Sequence, residues 1–181
     1  MPRIQPVDAA RTTGLTAELL TTTRRRFGGA PNMFLTAANA PAALDALLGL
    51  FESVGKSSLG HRVGEQIAIA VANGNGCGYC LAAHTAIGTM RGLDADSLRA
   101  ARLGDAPNTK TAALLTLARA ILDTRGHISD DTLATARDAG VSDAETIEVV
   151  AHIALNVFTN YLNSVSGTAI DFPDVPLATA A

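Results

Sequence analysis

Hydrophobic positions recur every three or four residues along most of this chain, and glycine-bearing or polar breaks divide that rhythm into helical stretches. Leu15, Leu19, Leu20 and Phe27 form the apolar face of a first helix that stops at Gly28-Gly29. Pro31 opens a short second helix, Asn32 to Asn39, and Pro41 opens a third in the same way, because proline's missing N–H costs nothing in a first turn. Leu44, Leu47, Leu48 and Phe51 make the apolar face of the third, which Gly55 with Ser57-Ser58 closes. The fourth, from about Leu59 to Ala72, is apolar on most sides through Ile67, Ile69, Ala70 and Val71, which predicts a central, buried element. Asn73-Gly74-Asn75-Gly76 is a strong breaker.

A fifth helix is predicted from Cys77 to about Arg91, and a sixth, capped by Asp94 or Asp96, reaches Leu103. The seventh covers about Thr109 to Arg125, with Leu114, Leu117, Ala118, Ile121 and Leu122 inward. Ser129, followed by Asp130 and Asp131 at the positive end of the helix dipole, caps the eighth, which Gly140 ends. Ser142 and Glu145 form a capping box for the last helix, about Asp143 to Gly167. Its core residues are expected to be Ile147, Val150, Ala151, Ala154, Leu155, Phe158 and Leu162. No stretch alternates with the strand period. The expected fold class is therefore all-α: a single-domain helical bundle of eight or nine helices over residues 14–170, with an N-terminal arm at 1–13 and an irregular tail at 171–181.

Composition supports close helix packing through small side chains, since 48% of residues are hydrophobic but only 4% aromatic. A formal charge of -3 argues against nucleic acid as a partner. The one basic run, Arg24-Arg25-Arg26, reads as a solvated helix end. No apolar stretch approaches the roughly 20 residues a membrane span needs, and the N-terminus lacks a signal-peptide design. The expectation is a soluble cytoplasmic protein with no membrane partner. In a reducing compartment a lone Cys-x-x-Cys is catalytic or metal-binding sooner than a structural staple.

That pair, Cys77 and Cys80, is where the chemistry concentrates. At a helix start Cys77 meets unsatisfied backbone N–H groups and the positive dipole end, both of which lower a thiol pKa. Cys80 follows one turn later and His84 one turn beyond that, on the same face. Glu65 lies on the preceding helix, and the Asn-Gly-Asn-Gly break lets that helix fold back so that its carboxylate meets the imidazole. This layout suits a thiol peroxidase: one thiolate attacks the peroxide and becomes a sulfenic acid, a second thiol condenses with it, and a Glu–His pair relays protons.

Other readings share the residues. The cysteines could be small buried hydrophobes. Glu65, Cys77, Cys80 and His84 have the ligand types and number of a zinc site, although closed zinc sites usually draw on two short clusters. A thioredoxin-like motif needs a βαβ context, absent here, and haem attachment needs a histidine where Leu81 stands. A lactone decarboxylation or related proton transfer through Glu65 and His84, and a redox-sensing module without turnover, also remain open. Tyr79 stands between the cysteines. His61 could share a helix face with Glu65 but reads first as a surface or helix-start histidine, and His127 sits in a loop; His152, on the apolar last helix, reads first as a hydrogen-bonded core histidine, which Asn156 one turn on could orient or join in lining a pocket.

Glu65, then Asn75-x-Cys77-x-Tyr79-Cys80-x-x-x-His84, resembles the core motif of the alkyl hydroperoxidase D-like, or carboxymuconolactone decarboxylase, family. Pro31-Asn32-Met33-Phe34, Pro41 and the His152…Asn156…Asn160 helix are similar to features of its peroxidase-related branch. The resemblance implies an all-helical fold assembling into trimers or hexamers. It implies Cys80 as the peroxidatic thiol, Cys77 as the resolving one, and Glu65 with His84 as the proton relay. Tyr79, His61 and His152 are auxiliary candidates. No cofactor or metal is needed; the partners implied are a hydroperoxide and a dithiol reductant, lipoyl or thioredoxin-like. Tyr79 stands where the family's better-known peroxidase has a second histidine. The decarboxylase branch does not depend on a cysteine pair, so the two thiols favour redox chemistry.

Overall fold

A computed structural model describes residues 1–178, and among them the predicted helices form with no strand. In chain order they are α1 (Gly14–Phe27), α2 (Asn32–Ala37), α3 (Pro41–Val54), α4 (Gly60–Gly74), α5 (Gly78–Met90), α6 (Ala95–Arg102), α7 (Thr109–Thr124), α8 (Asp130–Asp138) and α9 (Asp143–Ser166). Capping side chains set several of the starts. Asp94, not Asp96, caps α6 by accepting from Ser97 N at 2.7 Å. Asn108 and Ser129 do the same for α7 and α8, and the Ser142–Glu145 box forms as expected.

α4 is the central element. It packs against α5, α6, α7 and α9, and Ile67, Ile69 and Val71 are wholly buried. Each such side chain contributes about 1.5–3 kcal/mol of transfer free energy. Leu44, Leu47 and Leu48 of α3 and Leu114, Leu115, Leu117 and Ala118 of α7 complete the core around it.

Two apolar faces differ from expectation. In α1, Leu19 and Leu20 are buried, but Leu15 is exposed and Phe27 partly so. Phe27 instead stacks on Phe34 with ring centroids 4.7 Å apart and meets Phe51 edge-on at 5.2 Å. In α9 the inward face is largely polar: His152, Asn156, Thr159, Asn160, Asn163 and Ser166 are buried, together with Val149, Ile153 and Leu155. Ile147, Val150, Ala151 and Ala154 face outward. The hydrophobic rhythm of α9 is genuine, but the polar stripe turns toward the cysteine-bearing α5 and α4 and leaves the apolar one uncovered on this chain.

The terminal segments are tied down by backbone hydrogen bonds. Arg3 N donates to Ser166 O at 2.7 Å and Val7 N to Leu35 O at 3.1 Å. After α9 the described residues are irregular, and Asp171 Oδ2 accepts from Asn32 N at 2.8 Å. Ala178 N donates to Asn73 Oδ1 at 2.8 Å. Residues 179–181 of the expected tail lie outside the described residues.

Candidate active site

The Asn73–Gly76 break begins two residues later than expected, because α4 continues through Gly74. Asn75 caps it, and Gly76 takes φ 66°, a left-handed conformation that glycine adopts without the Cβ penalty. This turn puts Cys77 at the N-cap of α5, and the chain folds back so that α5 packs along α4. Cys77 Sγ accepts the backbone N–H of Cys80 at 3.4 Å. The sulfur thus occupies the place of a capping oxygen.

Both cysteines are free and buried. A hydrogen bond from the Cys80 thiol, aided by the Cys80 N–H and offset by burial, pulls the Cys77 pKa down to about 7. The same hydrogen bond, burial and the negative charge of Cys77 push Cys80 well above the ordinary thiol range, against the pull of Asn163 and Asn160. The first proton the pair loses therefore leaves its charge on Cys77, at the helix N-terminus. The more acidic sulfur is Cys77, whereas Cys80 is the one that opens on a cavity.

Glu65 reaches His84 as expected: its Oε2 lies 2.7 Å from Nδ1. Its other oxygen, Oε1, lies 3.4 Å from Arg91 Nε. With Nδ1–H donating to the carboxylate, His84 Nε2 is left free to exchange a proton. Arg91 had no signal in the sequence beyond its place at the end of α5. Neither did Asn163, whose Nδ2 donates to Cys80 Sγ at 3.2 Å. Asn75 Nδ2 donates to Asn160 Oδ1 at 2.9 Å and ties the turn before the cysteines to α9.

Tyr79 is buried and turned to the start of α2, where its hydroxyl accepts from Met33 N at 3.2 Å. Phe172 of the tail meets its ring edge-on at 5.7 Å. Burial pushes its phenol far above the ordinary range, so it stays protonated. His152 is buried beside α4, with its Nε2 3.0 Å from Ser57 Oγ, and burial lowers its pKa. Asn156 does not orient the ring: its Nδ2 donates to the His152 backbone oxygen at 2.8 Å and Ser57 holds the imidazole, while His152 and Asn156 line a cavity together, the other arrangement expected of them. His61 is exposed at the mouth of a cavity that it shares with Glu65, and His127 is exposed.

Two cavities abut at His84 and Arg91. One, of about 370 Å³, is walled by Cys80, His84 and a set of apolar rings that includes Phe27, Phe34 and Phe172. The other, of about 410 Å³, is more polar and holds Glu65, His152 and Ser57. Arg26, Phe27 and Phe51 belong to both walls. Among the described residues no three His, Cys, Asp or Glu side chains converge as metal donors. None of the described helices is long and apolar enough to cross a membrane.

No curated protein sequence matches the chain. The chain is similar in structure to an alkylhydroperoxidase AhpD core protein, an uncharacterized peroxidase-related protein from Ralstonia eutropha JMP134, at 19% identity and TM-score 0.83, covering 94% of this chain and 92% of that one. It is similar to the debrominase Bmp8, whose C82A form was solved with 2,3,4-tribromopyrrole, at 22% identity and TM-score 0.78, covering 93% and 91%. It is also similar to a putative antioxidant defence protein AhpD from Agrobacterium tumefaciens, at 24% identity and TM-score 0.65, covering 74% and 93%. At these identities the likeness establishes the fold. Residues 41–123, from the start of α3 into α7, match the model of the carboxymuconolactone decarboxylase family, and the chain as a whole has the all-helical fold of these alkylhydroperoxidase D-like structures.

Proposed function

We propose that this protein is a thiol-dependent peroxidase that reduces hydroperoxides through Cys80 and Cys77. The observation that carries the reading is that Cys80 opens on an apolar cavity also walled by His84, which Glu65 holds at 2.7 Å. Cys80 passes its proton to the Cys77 thiolate and attacks the distal peroxide oxygen. The O–O bond breaks, Cys80 becomes a sulfenic acid, and the leaving alkoxide takes a proton from the His84 relay. His84 then accepts the Cys77 proton, and the Cys77 thiolate attacks the sulfenic sulfur. Water leaves and a disulfide forms. Overall, R–OOH and two thiols give R–OH, water and a disulfide, which an external dithiol, lipoyl or thioredoxin-like, reduces.

Free-thiol titration before and after one equivalent of an organic hydroperoxide tests this reading. Two thiols should be lost per equivalent, and the Cys80→Ser protein should consume peroxide far more slowly. Equal rates for the two proteins would sink it. Activity on a lactone that survives replacement of both cysteines would favour decarboxylation through Glu65 and His84.

The aromatic walls beside the dithiol favour a second reading, reductive removal of halogen from an aromatic ring: Ar–Br and two thiols give Ar–H, bromide, a proton and a disulfide. Stoichiometric bromide release from a bromopyrrole supports it, and its absence removes it.

The outward face of α9, with Ile147, Val150, Tyr161 and Val165 exposed along one side, supports the expected homo-oligomer, a trimer or hexamer. A monomer by light scattering at micromolar concentration contradicts that.

A further inference from the structure

The basic run at the end of α1 is exposed, as a solvated helix end should be, but its last member also reaches the walls of the site. Arg26 contributes to the walls of both cavities, as does Arg91. Its guanidinium lies 5.7 Å from the centroid of the Phe27 ring, and Nη1 donates to Leu48 O at 2.9 Å. That bond fixes the group beside the rings and leaves its other N–H donors free.

The local charges do not cancel. Arg91 is matched by Glu65 at 3.4 Å. Glu52, the carboxylate whose charge is felt by Arg26, is matched by Lys56 at 2.9 Å. Among the described residues Arg26 itself forms no ion pair. One cation therefore stands uncompensated at a cavity that is otherwise mostly carbon-walled and contains the Cys80 sulfur. At about 370 Å³ that cavity falls at the small end of ordinary ligand sites. It is more than ten times the roughly 30 Å³ share of one water molecule.

We propose that the substrate is an apolar, ring-sized hydroperoxide carrying one anionic group, a carboxylate above all, with the anion held by Arg26 and the O–O bond presented to Cys80. This rests on the peroxidase reading only for the O–O bond. The anion site stands on the charges and the cavity alone. A planar guanidinium suits a carboxylate because it donates two parallel N–H bonds. One unmatched cation selects one negative charge.

Isothermal titration of the reduced protein with 4-isopropylbenzoate and with the neutral, equally sized 4-isopropylbenzamide tests the site. The benzoate should bind about tenfold more tightly in low salt. Arg26→Gln should erase that difference, whereas Arg25→Gln, the same charge change one residue away and outside both cavity walls, should leave it intact. Equal affinities in the unaltered protein, failure of the benzoate to bind at millimolar concentration, or an advantage that survives Arg26→Gln overturns the proposal. The para-carboxylate of cumene hydroperoxide then separates the two ideas. If the benzoate binds through Arg26 but this peroxide leaves both thiols free, the anion site stands and the peroxidase reading falls.

Discussion

Asn163 Nδ2 stands 3.2 Å from Cys80 Sγ, and both residues are buried. An amide N–H aimed at sulfur stabilises the thiolate over the thiol, opposing the Cys77 hydrogen bond and burial that push Cys80 up. A thiolate on Cys80 therefore has one fixed donor. Hydrogen bonds to charged groups are worth about 1.5–3 kcal/mol. Asn163→Ala should slow alkylation of Cys80 by iodoacetamide at pH 7 about tenfold or more, measured in a Cys77→Ser background so that one thiol reports. Asn163→Asp, which sets a carboxylate against the sulfur, should slow it further. An alanine variant that alkylates at the unaltered rate removes Asn163 from the site.

The carboxylate of Glu65 is shared between His84 and Arg91. If it fixes the imidazole tautomer and carries relay charge, Glu65→Gln should cut peroxide consumption by about 10²–10⁴-fold, the usual worth of general acid–base catalysis. Arg91→Gln leaves the His84 contact in place and should cost much less. Its mark should be a displaced pH–rate profile, because the charge that orients Glu65 is gone. Similar losses from both variants with unmoved profiles would make the pair a structural clamp and nothing more.

The cysteine pair also makes stability depend on pH, with a definite sign. Cys77 falls from 9.0 to about 7 on folding. Between those values the unfolded chain binds the extra proton, so stability rises with pH from about 7 to 9 and is lost as pH falls through 7. The ceiling for a shift of this size is about 2–3 kcal/mol. Cys80 moves the other way: the folded state keeps its proton when the unfolded state would release it, so stability declines again above about 9. The melting temperature of the reduced protein should peak near pH 9. Cys77→Ser should abolish the rise, and a flat profile in the unaltered protein contradicts the division of charge.

Helix starts and the Glu65–Cys77–Cys80–His84 unit were legible in the sequence because each rests on local rules. Ser142 with Glu145, Pro41, and the glycine turn before Cys77 act within a few residues of themselves. The face that α9 buries was not legible. Two stripes on that helix compete, one apolar and one polar, and the default assigns the apolar stripe to the core. Here the polar stripe carries the Asn163 that meets Cys80, the Asn160 that meets Asn75, and His152. Those contacts span 83 to 95 residues, so no window along the chain contains both partners. Arg91 and Arg26 escaped for the same reason: each is an ordinary helix-end cation until the fold brings it to a cavity wall.

Gly64 and His152 supply a packing test on the relay side of the site. A Cβ built at Gly64 would lie 2.9 Å from His152 Cε1, closer than side-chain carbons approach. His152 cannot swing aside freely, since Ser57 holds its Nε2 at 3.0 Å and the ring is buried. Overpacking of this kind costs about 1–3 kcal/mol. Gly64→Ala alone should lower stability by that amount. In a His152→Ala background the ring is gone and the new methyl meets space, so the second substitution should cost little. The coupling energy in the double-mutant cycle should then favour the pair by at least 1 kcal/mol, within the range seen for residues in contact. Urea unfolding of the four proteins measures it, and strict additivity would mean that the ring does not lie against Gly64 in solution.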